Sequence, residues 1–188
     1  MSKSIIQMNN HLQDLVDRCK KRDALGQKEL YDLYKTTLFG ICRRYLHSIE
    51  DAEDVLTESF VKIFTKLDDY KGEGSFEGWI KKITVNEALM FLRKHKLHFQ
   101  ELDTFHLEFG EAPHYEDQLE EADIMDLFEQ LPPGYRTVLN MYDVEGYKHK
   151  EIADLLGISI NTSKSQLILA RRKMKDLLEK KLNISNGK

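Results

Sequence analysis

Near the C-terminus, Asn161, Lys164, Ser165, Ile168, Arg171, Arg172 and Lys175 recur at helical spacing. At about 100° per residue they share one polar, basic face, and Ser163, Leu167, Ala170, Met174 and Leu177 share the other. Ammonium and guanidinium groups aligned along a helix neutralise phosphates and donate to base edges, so the chemistry on offer is recognition of duplex nucleic acid. A second set lies upstream, where Trp79 and Asn86 stand among Lys81, Lys82, Arg93, Lys94 and Lys96. An aromatic ring stacks on a base, an amide pairs with its edge and cations hold the backbone, which is what an unpaired strand requires. Taken alone, Trp79 reads as a core contact with Ile80, Ile83, Leu89 and Leu92, and Asn86 as an incidental surface residue. The two glycines of the preceding loop, Lys71-Gly72-Glu73-Gly74-Ser75, give it the freedom to close around a flipped base. A third set is acidic. Asp51, Glu53, Asp54 and Glu58 open a helix where the dipole favours anions, and Asp54, Thr57, Glu58 and Val61 form its outer surface.

Helices must position these groups. Apolar periodicity predicts them over 8–21, 24–46, 49–67 and 76–95, and no alternating strand pattern is present. Residues 147–178, YKHKEIADLLGISINTSKSQLILARRKMKDLL, parse as two further helices joined by a tight turn. Ile152, Ala153, Leu155 and Leu156 make the apolar arc of the first, Gly157 ends it in the left-handed region, and Ser159 caps the second. The small Ala153 lets the two helices approach as a helix-turn-helix requires. The fold class is therefore all-α, with an N-terminal helical bundle over 8–96, an acidic flexible linker over 97–120 and a C-terminal helix-turn-helix domain over 121–182.

The net charge of −4 at first opposes a role on DNA. Its distribution removes the objection, because residues 97–135 hold eleven of the 32 acidic residues and no Lys or Arg. The remainder carries 28 basic against 21 acidic side chains, so two basic lobes flank one acidic connector with Gly110 and Pro113. No run approaches 18 apolar residues and no signal peptide is evident, which places the chain in the cytoplasm. Cys19 and Cys42 lack both disulfide-framework and metal-ligand spacing and read as reduced thiols. His47, His95, His98, His106, His114 and His149 show no HExxH or paired metal spacing, and neither a phosphate loop nor a nucleophile elbow is present. No catalytic residue, metal, cofactor or small-molecule substrate is expected.

Taken in order, DAEDVLTESFVKIF, GWIKKITVNEALMFLRK, LPPGYRTVLNMYDVEGYKHKEIADLLGIS and NTSKSQLILARRK resemble the extracytoplasmic-function sigma factors of bacterial RNA polymerase, over about residues 23–178. The resemblance implies that Asp51, Asp54, Thr57, Glu58 and Val61 dock on a coiled coil of the largest subunit of core polymerase. It implies that Gly74, Ser75, Phe76, Trp79, Lys81, Lys82, Asn86 and Arg93 read and melt the minus-10 element, capturing a non-template base. Thr162, Lys164, Ser165, Gln166, Ile168, Arg171 and Arg172 would face the minus-35 element. An anti-sigma factor, often in the inner membrane, is the implied regulator. The linker would thread the polymerase cleft, where residues 101–121 would act as a polyanion displaced by growing RNA. Four departures stand out: Thr57 for a usual Gln, Lys148 for a Ser or Thr cap, Ser163 for Val and Leu169 for Arg. Lacking a cap costs on the order of 1 kcal/mol, and serine for valine predicts looser packing. The principal rival is a self-sufficient helix-turn-helix regulator, which would bind duplex DNA without polymerase.

Overall fold

A computed structural model describes residues 2–95 and 121–185, and every described element is a helix or a turn. The acidic stretch 97–120, with the polyanion expectation attached to it, and Lys96 lie outside the described residues. The chain folds as two compact units, 1–91 and 92–188.

The first unit holds α1 (Ser2–Lys20), α2 (Ala24–Tyr45), α3 (Ile49–Thr65) and the body of α4 (Phe76–Lys94), with a 3₁₀ turn at Leu67–Asp69. Their starts are written locally. The Asp23 carboxylate accepts the Leu25 N–H at 3.0 Å, Ser48 Oγ accepts the Asp51 N–H at 3.1 Å, and Ser75 Oγ accepts the Gly78 N–H at 3.3 Å. α1 and α3 both pack on α2, and the 3₁₀ turn closes against α1. The core is contiguous: Leu15, Val16, Leu30, Leu38, Ile41, Tyr45, Ala52, Val55, Phe60, Ile63, Ile80, Val85 and Leu89 are all buried. Cys19 and Cys42 are buried free thiols, which burial pushes up to about 11 and about 12 respectively. Lys62 Nζ on α3 meets Glu87 Oε1 on α4 at 2.5 Å, an interhelical pair whose carboxylate is nearly enclosed.

The second unit contains α5 (Glu121–Glu129), α6 (Pro133–Leu139), one π-helical turn (Asn140–Val144), α7 (His149–Leu156) and α8 (Ile160–Ser185). α5, α6 and α7 all pack on α8. Leu127, Leu131, Val138, Met141, Ile152, Leu156, Leu167 and Ala170 fill the core. Gly157 ends α7 at φ 68°, ψ 35°, and Ser159 Oγ accepts the Thr162 N–H at 2.9 Å to begin α8. At the start of α7 the Lys148 ammonium offers no acceptor, but the Glu151 carboxylate takes the Lys148 N–H at 2.8 Å. Half of a capping box therefore survives, and the expected loss at Lys148 is partly offset. Among the described residues no helix is long and apolar enough to cross a membrane.

A Cβ at Gly157 would meet nothing within 4 Å, so its substitution acts through backbone strain alone. Gly157→Ala should lower stability by about 1–2 kcal/mol, the cost of a left-handed L-residue. Urea unfolding should show a lower midpoint at unchanged slope. A midpoint equal to wild type would mean that the turn re-forms without the positive φ.

Candidate nucleic-acid and partner-binding surfaces

On α3, Asp54, Thr57, Glu58 and Val61 are all exposed, and their spacing sets them on one stripe with the half-buried Asp51. Val61 is 56% exposed, a large apolar side chain flanked by two carboxylates. The Thr57 hydroxyl donates back to the Glu53 carbonyl at 2.9 Å, which spends its only proton within the helix. Opposite this stripe Ala52, Val55, Ser59 and Ile63 are buried, so the acidic-apolar face is fixed in direction by the core.

α4 assembles a second surface. Trp79, Lys82, Asn86 and Arg93 fall within one narrow arc, with Lys82 and Arg93 exposed and Trp79 and Asn86 half-buried. Met90, 51% exposed, lies in the same row and had no polar signal to mark it. Two expected members are placed elsewhere. Lys81 lies on the far side of the helix and pairs with Glu77 at 2.6 Å. Phe76 is only 4% exposed, because it fills an aromatic cluster with Tyr34, Tyr70 and Trp79 at 6.0, 5.2 and 5.8 Å between centroids. Phe76 supports the surface from beneath and is not part of it. Gly74 and Ser75 are exposed in the loop that leads into α4. Gly72 and Gly74 have φ of 79° and 82°, conformations that justify glycine at both. Lys20 Nζ donates to the Tyr70 carbonyl at 3.1 Å and Tyr70 Oη to the Gly74 carbonyl at 3.1 Å, anchoring this loop to α1. An open pocket lined by Gln13, Lys20, Tyr70 and Lys71 adjoins it. Lys20 and Tyr70 are 50 residues apart, so no local pattern could join them.

α8 carries the third surface, and here the polar residues divide. Asn161, Lys164, Arg171, Arg172 and Lys175 are exposed and Ile168 is half-buried, in the arrangement that spacing predicts. Thr162, Ser165 and Gln166 are buried, at 6, 0 and 1% exposure. They do not face solvent as a base-reading role requires. Thr162 Oγ1 bonds Ser159 Oγ at 2.8 Å, and Ser165 Oγ donates to the Thr162 carbonyl at 3.0 Å. Thr162 and Ser165 are short and Gln166 is among the largest fully buried side chains, and all three lie on the packed side of α8, on which α6 and α7 rest. Ser163 is fully buried, but its hydroxyl bonds His149 Nδ1 at 2.9 Å, which replaces the expected looseness with a polar tie between α7 and α8.

Around Arg171 the structure gathers residues with no sequence signal. Its Nε donates to Asp143 Oδ2 at 3.0 Å and its Nη2 to Asp143 Oδ1 at 2.5 Å. The guanidinium lies 5.7 Å from the centre of the Tyr142 ring, and Tyr142 stacks on His149 at 4.5 Å. The hydrogen bonds to Asp143 raise the Arg171 pKa against burial. Burial, then the Lys164 and Arg171 charges, lower the His149 pKa and favour its neutral ring. Among the described residues no group of three or more His, Cys, Asp or Glu side chains is placed to hold a metal ion.

The Sigma-70 region 2 family matches residues 30–98, and the Sigma-70, region 4 family matches residues 121–174. The RNA polymerase sigma factor SigZ of Bacillus subtilis is 30% identical over 154 residues, covering 81% of this chain and 86% of that protein. The RNA polymerase sigma-H factor of Pseudomonas aeruginosa is 27% identical over 184 residues, covering 89% and 93%. In fold, the chain is similar to the sigma factor RpoE of Bartonella quintana, solved in complex with the anti-sigma factor NepR. The TM-score is 0.51 at 22% identity, covering 81% of this chain and 96% of that one.

Proposed function

This chain belongs to the extracytoplasmic-function group of RNA polymerase sigma factors, and we propose from that premise which of its surfaces carries each step of promoter recognition. The chain directs RNA polymerase to promoters. The observation that carries the assignment is the division of exposed surface: an acidic-apolar stripe on α3, an aromatic-amide-cation row on α4 and a cationic row on α8. Acidic-apolar surface suits a protein partner, because phosphate repels carboxylates, whereas the other two suit nucleic acid.

In this reading Asp54, Glu58 and Val61 dock on core polymerase, with Asp51 at the edge and Thr57 contributing its methyl group and hydroxyl oxygen. Trp79 and Asn86 engage an unstacked base of the minus-10 element, and Lys82 and Arg93 hold the phosphates of the displaced strand. Gly74 and Ser75, exposed in the anchored loop that leads into α4, border that base. Lys164, Ile168, Arg171 and Arg172 meet the minus-35 element, with Thr162, Ser165 and Gln166 beneath them as scaffold. Polymerase supplies the chemistry, so the chain itself needs no catalytic group. It acts in the cytoplasm, and an anti-sigma factor that covers the α3 stripe would keep it inactive.

Binding of the full chain to promoter DNA, measured with and without core polymerase, tests this division. Specific binding is expected only with core. Lys164→Ala should weaken closed-complex binding about tenfold, the value of one good base or phosphate contact. Asn86→Ala should leave closed binding intact and slow opening, read by permanganate reactivity of unpaired thymines. Equal losses in both steps for both variants would overturn the division. Specific binding without core would point to the stand-alone regulator.

A further inference from the structure

Arg171 differs from its neighbour Arg172 in one respect that bears on what each can read. Arg172 is exposed and forms no ion pair among the described residues, whereas Arg171 has one edge of its guanidinium filled by the Asp143 carboxylate. A guanidinium has five N–H donors in a fixed plane. With Nε and one Nη2 hydrogen given to Asp143, the remaining Nη1 and Nη2 hydrogens form a second edge directed away from the carboxylate.

We propose that Asp143, assisted by Tyr142, positions Arg171 as a reader of a guanine edge in the minus-35 element and keeps it from acting as a phosphate clamp. This inference rests on the placement of α8 against that element argued above. Guanine presents O6 and N7 side by side in the major groove, and two parallel N–H donors match them. A phosphate oxygen approaching the same guanidinium would meet a carboxylate about 3 Å from its nitrogens, and the Asp143–Arg171 pair is neutral as a unit. The brace is itself held. Tyr142 lies against the guanidinium and stacks on His149, which is bonded to the buried Ser163 of α8. Asp143 and Tyr142 are presented by the π-helical turn, a rare backbone feature that recurs at functional sites and here turns both side chains towards α8. Asp143 lies 28 residues before Arg171, so the pair exists only in the folded unit.

The experiment uses holoenzyme assembled from the full chain and core polymerase, with promoter duplexes randomised across the minus-35 element and a series of salt concentrations. Arg171→Ala should lose preference for G at one position by about tenfold or more, the discrimination one bidentate contact supplies. Asp143→Asn, isosteric and at an exposed site, should lose the same preference. Its affinity for mismatched promoters should be unchanged or higher, with a salt slope steeper by about one phosphate contact as Arg171 turns to the backbone. Arg172→Ala should weaken all sequences alike. Two results would overturn the inference while leaving α8 in its proposed place: Asp143→Asn retaining the preference, or Asp143→Asn weakening every sequence equally at unchanged slope, as a structural role would. A wild-type holoenzyme with no minus-35 preference at all would overturn the placement of α8 and the inference together.

Discussion

Reversing two charges on α3, Asp54→Lys together with Glu58→Lys, is expected to reduce affinity for core polymerase by more than about 100-fold and leave the unit's thermal stability nearly unchanged. Both side chains are exposed, and no ion pair involving either is formed among the described residues. Surface changes of this kind usually stay within about 0.5 kcal/mol, although lysine near a helix N-terminus adds a small dipole penalty. At an interface the same groups count for more. Removing one partner of a desolvated charge pair costs about 2–5 kcal/mol, and reversal adds repulsion. Glu53→Lys is the control, since Glu53 is exposed on the same helix but lies off the stripe. The pair of measurements is core binding by fluorescence anisotropy and unfolding by circular dichroism. A double variant that binds core within tenfold of wild type, or a Glu53 variant that fails equally, would remove the α3 stripe from the docking surface.

Phe76→Ala is the second large effect, and it acts through the fold. The ring is almost fully enclosed by Tyr34, Tyr70 and Trp79, so truncation removes its burial and leaves a cavity under the start of α4. Such changes cost about 3–5 kcal/mol, which lowers the melting temperature of a domain this size by more than about 10 °C. Promoter opening should fall with it, because Trp79 packs on that ring, as does Tyr70, whose hydroxyl holds the Gly74 carbonyl. Phe76→Leu, which refills most of the volume, should recover most of the stability. If opening were lost in Phe76→Leu while stability returned, Phe76 would contact DNA itself, contrary to its burial. A melting temperature unchanged in the alanine variant would show that the cluster closes over the gap.

The bounds of α2, α3 and α4 were legible because their causes are local. Asp23, Ser48 and Gly157 satisfy or release backbone within a few residues of themselves, and the apolar spacing follows from the helical period. The directions of the α3 stripe and of Lys164 and Arg172 were legible for the same reason. Thr162, Ser165 and Gln166 were not. Helical spacing turns Ser165 outward and the family resemblance does the same for Thr162 and Gln166, yet the Thr162 and Ser165 hydroxyls bond Ser159 Oγ and the Thr162 carbonyl, and Gln166 is among the largest fully buried side chains. Lys81 follows the same logic in reverse, as its charge is met by Glu77 one turn away.

The sequence by itself determined that the chain is helical, where most helices begin, and which faces carry acid, aromatic or base. Each of these depends on interactions that span no more than one or two turns. Only the tertiary structure decided which polar residues are scaffold and which are surface, and that Arg171 is held by Asp143, a partner 28 residues away. A helical wheel fixes the angle between side chains but not which arc meets its neighbours. That arc is set by how several helices share one core, so a contact such as Asp143 with Arg171 comes into being only when the π-helical turn and α8 are brought together.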